Sequence, residues 1–173
     1  MAIVVEDGTG KPDSVSYASV AQYKAWCDSR GISYTGTTDI QIENALVKAT
    51  DAMSQMYRQR WTGYRNTATQ ALDWPRTLVY LESYIYTGSD NSLYFIDNNI
   101  IPKEVVNSCI SLAIYSQTES LVTDIDQRVI REKIDVIEVE YDTNALQYKQ
   151  YRSVDLMLGP YLKSNEGQLR IVR

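Results

Sequence analysis

The sequence contains no histidine among its 173 residues. This absence excludes the Ser-His-Asp triad, the Cys-His dyad, zinc and haem sites that use histidine, and a histidine acting as general base near neutral pH. Any catalysis would therefore depend on carboxylate, lysine, tyrosine or cysteine side chains.

Cysteine and long apolar runs are also scarce. The two cysteines, Cys27 and Cys109, are too few for a zinc cluster, and each falls in a helical pattern, so we expect buried free thiols in a reducing compartment. No stretch approaches the ~18 uninterrupted apolar residues of a membrane span. Residues 1–10 carry acidic residues and glycines where a signal peptide needs a basic region and an apolar run. We therefore expect a protein made and kept in a cytosol, without a membrane partner.

Phenylalanine occurs once, against 14 tyrosines and three tryptophans. Tyrosine combines a rigid apolar ring with a polar tip, which suits surfaces that become half-buried in an assembly. The alternative is that tyrosine replaces phenylalanine at the edge of the core, and composition alone favours neither. The chain is 44% hydrophobic and 23% charged with a net charge of −5, which is typical of one acidic folded domain.

Two capping boxes predict the first two helices. Ser19 with Gln22 predicts a helix of about three turns that ends near Gly31. Thr38 with Gln41 opens a longer helix over residues 39–61. Its apolar positions follow the i, i+3, i+4, i+7 spacing of an amphipathic helix: Ile42, Ala45, Leu46, Ala49, Met53, Met56 and Tyr57.

The third predicted helix has apolar residues on two sides. Pro102 stands at a first helical position, and the pattern continues to about Ser120. Such a helix is either central in the core or shared between the core and a neighbouring subunit. Further along, Ser153 is predicted to cap a short helix over Val154 to Leu158, which Gly159 and Pro160 interrupt.

Two segments show strand patterns. Residues 78–96 predict a tyrosine-rich hairpin around a turn at residues 87–91. Residues 129–141 alternate with period two and predict a compact hairpin that turns near Ile134 and Asp135. Because an isolated hairpin is marginal in water, this second one is expected to lie against something else, which in a ring is the next copy of the chain.

The fold class that follows is mainly α: a small helical bundle with a β-hairpin and extended N- and C-terminal arms. The N-terminal arm covers residues 1–14, the domain covers 15–162, and the C-terminal tail covers 163–173. Within the domain, residues 78–99 form a tyrosine-rich insertion and 128–142 form the β-hairpin.

The sequence offers little support for an enzyme. Carboxylate pairs such as Asp124 with Asp126, or Glu138 with Glu140, could bind a cation or exchange protons, but the second pair also fits the solvated face of a strand. Active sites of those kinds bring carboxylates together from several elements. We therefore predict no catalytic residue, no metal ligand and no cofactor.

A nucleic-acid interface is the strongest alternative. Arginines are interleaved with aromatic residues, a combination that single-strand binders use for phosphates and bases. A free-standing binder normally has a basic footprint, however, whereas this chain is acidic. Tyr57 and Trp61 also continue the core stripe of the second helix. The candidate DNA or channel-lining residues are Arg58, Arg60, Arg65 and Arg76.

Six blocks of sequence occur in the same order in small tailed-phage proteins, and they are spread over most of the chain. The blocks are residues 3–10, 49–51 with 57–61, 70–76, 101–105, 131–134 with 137–141, and 154–158 with 160–162. On these blocks the chain resembles the head-tail connector, or adaptor, proteins of siphophages and related prophages, some of which are labelled DnaT-like single-stranded DNA-binding proteins. The tyrosine-rich segment from Leu78 to Asn99 is longer than expected of that family.

The resemblance implies a structural adaptor in the virion neck, assembled in the host cytoplasm as a ring, typically of 12 copies. The ring would lie beneath the portal protein, extend the channel for genomic double-stranded DNA without gripping it, and dock a stopper or tail protein below. A single-stranded DNA-binding accessory protein is the alternative.

The resemblance also assigns three sets of contact residues. The portal-docking tail would be Leu169, Arg170, Ile171, Val172 and Arg173. The loop facing the stopper or tail would carry Tyr80, Tyr84, Tyr86 and Tyr94. Contacts between copies would involve Ile110, Ile114, Tyr115, Ile130, Ile134, Ile137, Val139 and Tyr141.

Overall fold

A computed structural model of the protein describes residues 3–85, 93–122, 129–133, 138–141 and 149–163, and the side chains of all of these except 81–85, 93, 94, 129–133 and 138–141. The described chain is mainly helical, as predicted. The helices are α1 (Val20–Asp28), α2 (Asp39–Tyr57), α3 (Lys103–Tyr115), α4 (Arg152–Leu158) and a closing 3-10 turn (Gly159–Tyr161). The strands are β1 (Tyr64–Arg65), β2 (Arg76–Thr77), β3 (Tyr80–Ile85), β4 (Leu93–Phe95), β5 (Val129–Lys133) and β6 (Glu138–Tyr141).

Both predicted capping boxes are present. The Ser19 and Thr38 hydroxyls accept the backbone N–H of Gln22 and Gln41, whose side chains in turn accept the N–H of the capping residue. These reciprocal bonds satisfy backbone donors that a helix N-terminus otherwise leaves free. The sequence therefore located the starts of α1 and α2 correctly.

Three predicted helix boundaries are wrong. Helix α2 ends at Tyr57 instead of residue 61, because Trp61 leaves the helical path to form an antiparallel bridge with Leu162. Helix α3 ends at Tyr115 instead of near residue 120, where the Ser116 hydroxyl donates to the carbonyl of Ala113 at 2.7 Å. Helix α4 begins at Arg152 rather than Val154, and its N-cap is the buried Tyr151 instead of Ser153.

Helix α3 is central in the core. It packs against α2 on one side and α4 on the other, and it also touches α1. Most of its apolar residues are thereby covered within one chain: Val105, Cys109 and Ile110 are buried, while Tyr115 at its end stays 39% exposed. Of the two alternatives that the sequence left open for this helix, the structure shows the central position.

A run of aromatic rings joins α2 to the loop before β2 and to the 3-10 turn. Consecutive ring centroids lie 6.0 Å apart for Tyr57 and Trp61, 5.8 Å for Trp61 and Trp74, and 5.7 Å for Trp74 and Tyr161. The last two pairs are edge-to-face, the arrangement that the quadrupoles of aromatic rings favour. All four rings are buried, so these tyrosines and tryptophans belong to the core. The Trp74–Pro75 peptide bond is cis.

The six strands form three antiparallel ribbons, β1 with β2, β3 with β4, and β5 with β6. The last two are the hairpins that the sequence predicts; their predicted turns, at residues 87–91 and at Ile134 and Asp135, lie outside the described residues. Strands β2 and β3 are nearly continuous, and Leu78 and Val79 separate them. The chain changes pairing partner there, because Thr77 opposes Tyr64 whereas Tyr80 opposes Phe95.

The N-terminal segment packs on its own domain. Val5 forms a parallel bridge with Ser16, and the carbonyl of Lys11 accepts the N–H of Ala71. A side chain at Gly8 would collide with the carbonyl of Asn99, so the loop lies against the turn that precedes α3. Among the helices in the described part of the chain, none is long and apolar enough to cross a membrane.

Candidate functional surfaces

Two of the four candidate arginines lie at the C-terminal end of α2. The Arg58 guanidinium donates to the buried carboxylate of Asp73 at 3.0 Å, and Arg60 lies 3.6 Å from the carboxylate of Asp155. Their side chains are 58% and 44% exposed. Lys163 adds a third cation here, because its backbone N–H donates to the carbonyl of Arg60 at 2.7 Å and its ammonium group donates to the carbonyl of Gln59 at 3.4 Å. The sequence missed Lys163, which lies 103 positions from Arg60 and reaches it only through the fold.

The other two candidate arginines hold the protein's own backbone. Arg76 is buried, and its three guanidinium nitrogens donate to the carbonyls of Thr62, Gly63 and Asp73 at 2.7–3.1 Å. Arg65 is exposed but donates to the carbonyl of Gln70. The structure thus brings Arg58 and Arg60 together near Lys163, while Arg76 has no access to a DNA phosphate or to a channel.

Four exposed apolar side chains lie on the first two ribbons or in the chain between them. They are Tyr64, Leu78, Tyr80 and Phe95, which are 69%, 57%, 39% and 44% exposed; we call this set the ribbon patch. Tyr80 and Phe95 are cross-strand partners, so their side chains share one face of the β3–β4 ribbon. The buried Val79 between Leu78 and Tyr80 faces the core, which leaves its two neighbours facing outward.

Leu78 has an unusual backbone conformation. Its φ is +57°, in the left-handed region that bulky side chains avoid. Nearby, Gly63 has φ +64° and lies so close to Thr77 that a side chain there would collide with the Thr77 carbonyl. The backbone is therefore strained where the chain passes from β2 to β3, and the side chain of Leu78 at this point faces solvent.

The three predicted contact residues of α3 differ in how much of each side chain is exposed. Ile110 is buried in the core of its own chain, and Ile114 is half-buried against that core. Tyr115 is partly exposed, and its ring lies 5.3 Å from the ring of Tyr151. Ile110 is thus unavailable for a contact between copies, because α2 and α4 cover both sides of α3.

The remaining predicted contact residues belong to the ribbons and the tail. Tyr84 lies in β3, Tyr94 in β4, Ile130 in β5, and Val139 and Tyr141 in β6. In the last ribbon Val129 opposes Tyr141 and Glu132 opposes Val139, with a register irregularity between Val129 and Arg131. The other predicted positions lie outside the described residues: Tyr86, Ile134, Ile137 and Leu169 to Arg173.

Two tyrosine hydroxyls donate to carboxylates inside the domain. Tyr57 donates to Asp155 at 3.0 Å, and Tyr161 donates to Glu104 at 2.7 Å. Burial raises the pKa of both phenols, and the neighbouring carboxylates raise the pKa further. Both hydroxyls therefore stay protonated at neutral pH and join α2 and α3 to the C-terminal part of the domain.

Two adjoining grooves lie along α2 where it faces the residues that follow α3. One has a volume of about 530 Å³ and the other about 330 Å³, and Lys48 and Ser116 line both. Their walls mix charges of both signs, such as Lys48, Asp51 and Glu119, over a floor that includes Ala45 and Ala52. Among the described residues, no group of three or more histidine, cysteine, aspartate or glutamate side chains could hold a metal ion.

The comparisons with known proteins return one family. The model of the family described as "Putative DnaT-like ssDNA binding protein" matches residues 1–173. A search of curated proteins and a search of solved structures give no significant match. The family description agrees with the single-stranded DNA-binding alternative from the sequence, and no comparison tests the adaptor function. The chain belongs to the family of putative DnaT-like ssDNA binding proteins.

Proposed function

We propose that the protein is a non-enzymatic structural subunit, the head-tail adaptor of a tailed bacteriophage. It assembles as a ring beneath the portal, extends the DNA channel and docks a stopper or tail protein. The observation that carries this proposal is the ribbon patch, in which four apolar side chains face solvent on an acidic domain. Exposed apolar clusters of this kind mark contacts with other proteins.

The arrangement of the arginines supports the same function. Arg76 is buried, and Arg58 and Arg60 face carboxylates of their own chain. Guanidinium groups that are already paired release few counterions when a phosphate approaches, so they add little affinity for DNA. A net charge of −5 likewise suits a channel wall that lets DNA pass without holding it.

Electron microscopy of virions tests the adaptor function. The protein carrying a small tag would be labelled with gold in negatively stained particles, both complete and tail-less, of the phage or prophage that encodes it. We expect the label at the neck of both kinds of particle. Label that is absent from the neck of both would overturn the proposal.

A pull-down tests the predicted role of the tail. Deleting residues 164–173 should leave the helical circular dichroism spectrum unchanged and abolish attachment to the portal protein. A matched variant in which the same residues are replaced by a Gly/Ser linker of equal length controls for length alone. Retained attachment of the truncated chain would contradict portal docking by this segment.

The second candidate function is single-stranded DNA binding, which the family description favours. Its best location is the cationic end of α2, where Arg58, Arg60 and Lys163 lie close together and keep part of their surface exposed. The ring of Tyr57 lies under the Arg60 guanidinium at 5.4 Å but is buried, so it offers no free face to a base.

Fluorescence anisotropy with a labelled oligonucleotide separates the two functions. The adaptor function predicts no submicromolar binding near physiological salt. Single-stranded DNA binding predicts submicromolar affinity that falls steeply with salt and is lost in Arg58→Ala/Arg60→Ala. Arg30→Ala is the matched control, because Arg30 is an exposed arginine at the end of α1. Binding that responds to the double variant and not to the control would replace the adaptor proposal.

A further inference from the structure

We propose that the C-terminal segment of this chain, residues 164–173, covers the ribbon patch in the free subunit. This contact belongs to the chain before it meets any partner, so it goes beyond the proposed function and holds for either candidate. Three observations support it: the exposure and strain of the patch, the point where the described chain ends, and the chemistry of residues 164–173.

The ribbon patch has the features of a contact surface. Leu78 keeps a left-handed backbone although a glycine there would avoid the strain, and its side chain is not buried in the domain. Backbone strain of this kind clusters at active sites, ligand clamps and switch regions. The aromatic rings of Tyr64 and Phe95 add exposed apolar area on both sides of the crossing.

The described chain ends beside this patch. Leu162 bridges Trp61, and the N–H of Lys163 donates to the carbonyl of Arg60, so the C-terminal segment leaves the domain opposite Arg60, four positions before Tyr64. Four residues span at most about 14 Å, whereas the six residues from Lys163 to Leu169 span about 20 Å when extended. The segment is therefore long enough to reach the patch of its own chain.

The chemistry of the segment complements the patch. Its last five residues alternate Leu169, Ile171 and Val172 with Arg170 and Arg173. The segment holds two arginines and one glutamate, a charge of +1, which leaves −6 on residues 1–163 of a chain whose total is −5. Its apolar side chains can cover the exposed rings, and its guanidinium groups can lie over tyrosine faces or near the exposed Asp97, two residues from Phe95.

The tether favours the segment over a second copy of the chain. A short flexible linker holds its end at an effective concentration of the order of millimolar near the attachment point. A second copy would need to reach a comparable concentration in solution to compete. At micromolar protein the occupant is therefore the chain's own segment.

Disulfide trapping tests this contact. The variant Leu78→Cys/Ile171→Cys would be oxidised at low micromolar concentration, and peptide mapping by mass spectrometry would locate the new bond. The native thiols of Cys27 and Cys109 are buried and stay outside the reaction. The matched control is Ile40→Cys/Ile171→Cys, since Ile40 is exposed in the first turn of α2, about 26 Å along the helix from Tyr57.

We expect a bond within one chain between positions 78 and 171, formed at least tenfold faster than the control bond. Equal rates in the two variants would overturn the inference, because chance collision would explain both. A bond between two chains would also overturn it and would make a second copy the occupant.

Binding of an apolar dye gives a second measurement that needs no engineered thiol. A chain that ends at Lys163 should bind the dye several-fold more than the full chain, and Leu78→Ser in the truncated chain should remove most of that increase. Circular dichroism would confirm that each variant stays folded. Equal dye binding by the full and truncated chains would contradict the proposed cover.

Discussion

Leu78 combines a strained backbone conformation with an exposed apolar side chain. A left-handed conformation costs a non-glycine residue roughly 1–2 kcal/mol, because its Cβ approaches the following carbonyl oxygen. Leu78 accepts that cost at the point where the strand changes its partner from β1 to β4. Because the Leu78 side chain is 57% exposed, it gains little from burial in the core to offset that cost.

Replacing Leu78 tests the strain directly. Leu78→Gly should raise the free energy of unfolding by up to about 1 kcal/mol, because relief of the strain exceeds the cost of ordering a glycine, whose unfolded chain has greater entropy. Leu78→Ala keeps the Cβ and should show no such gain. Urea denaturation of both variants gives the comparison, and equal stabilities would show that the conformation costs nothing.

Tyr17 illustrates a buried polar group that supports the core. Its hydroxyl accepts the backbone N–H groups of Asp73 and Trp74 at 3.0 and 3.2 Å. Tyr17→Phe leaves both donors buried without this acceptor, so it should lower the free energy of unfolding by about 2 kcal/mol or more. Tyr115→Phe, at a partly exposed ring, is the control and should change it by less than about 0.5 kcal/mol.

Chemical denaturation measures both tyrosine variants in one series. A loss for Tyr17→Phe as small as that of the control would mean that the two amides find another acceptor.

At the scale of elements, the N-terminal loop depends on one carboxylate. Buried Glu6 accepts the N–H groups of Gly8, Gly10 and Lys11 and the hydroxyl of Ser14, at 2.8–3.0 Å. Backbone amides in such a concave loop form a ready anion site, and here the protein's own side chain fills it. The loop thereby keeps the shape that lets Gly8 approach Asn99 and Lys11 bind Ala71.

Glu6→Gln should loosen this loop without unfolding the helices. The amide group offers one oxygen and places an N–H₂ donor against backbone donors, so the free energy of unfolding should fall by about 1–3 kcal/mol. Hydrogen exchange at Gly8, Gly10 and Lys11 should accelerate first.

Asp7→Asn is the matched control for Glu6→Gln. Asp7 is exposed and pairs with Lys11 at 2.8 Å, a contact of the surface kind that contributes little. Exchange at the three amides that is equally fast in both variants would show that the Glu6 carboxylate does not hold the loop.

At the scale of the whole molecule, buried tyrosines tie stability to pH. Burial raises the pKa of Tyr17, Tyr57 and Tyr161 above the ordinary value of 10.0. The unfolded chain therefore releases these protons at lower pH than the folded chain does. Their stabilisation is fully present below pH 10 and is lost as the pH rises through the folded pKa values, by up to about 1.4 kcal/mol per pH unit for each phenol.

We expect urea midpoints to fall steeply between pH 10 and 11.5. Lysines also lose their charge at alkaline pH, so Tyr57→Phe isolates the phenol contribution. That variant should show a shallower decline than the native chain. An identical decline in both would mean that Tyr57 does not contribute.

The sequence by itself determined the helical class and the two hairpins. Capping residues act on their own helix and apolar spacing repeats locally, so Thr38 with Gln41 and the stripe from Ile42 to Tyr57 could be recognised from neighbours in the chain. The sequence likewise indicated that the two cysteines would be buried.

Only the tertiary structure decided which polar and apolar side chains remain exposed for contacts with other molecules. Arg76 donates its hydrogen bonds to carbonyls that lie 3–14 positions away in the chain, and α2 and α4 cover Ile110. Lys163 is hydrogen-bonded to Arg60, which lies 103 positions away. Composition cannot reveal such pairings, because long-range packing assigns partners that local patterns do not encode. The same packing left Tyr64, Leu78, Tyr80 and Phe95 exposed while burying Tyr17, Tyr57 and Tyr161, and so divided the tyrosines between core and surface.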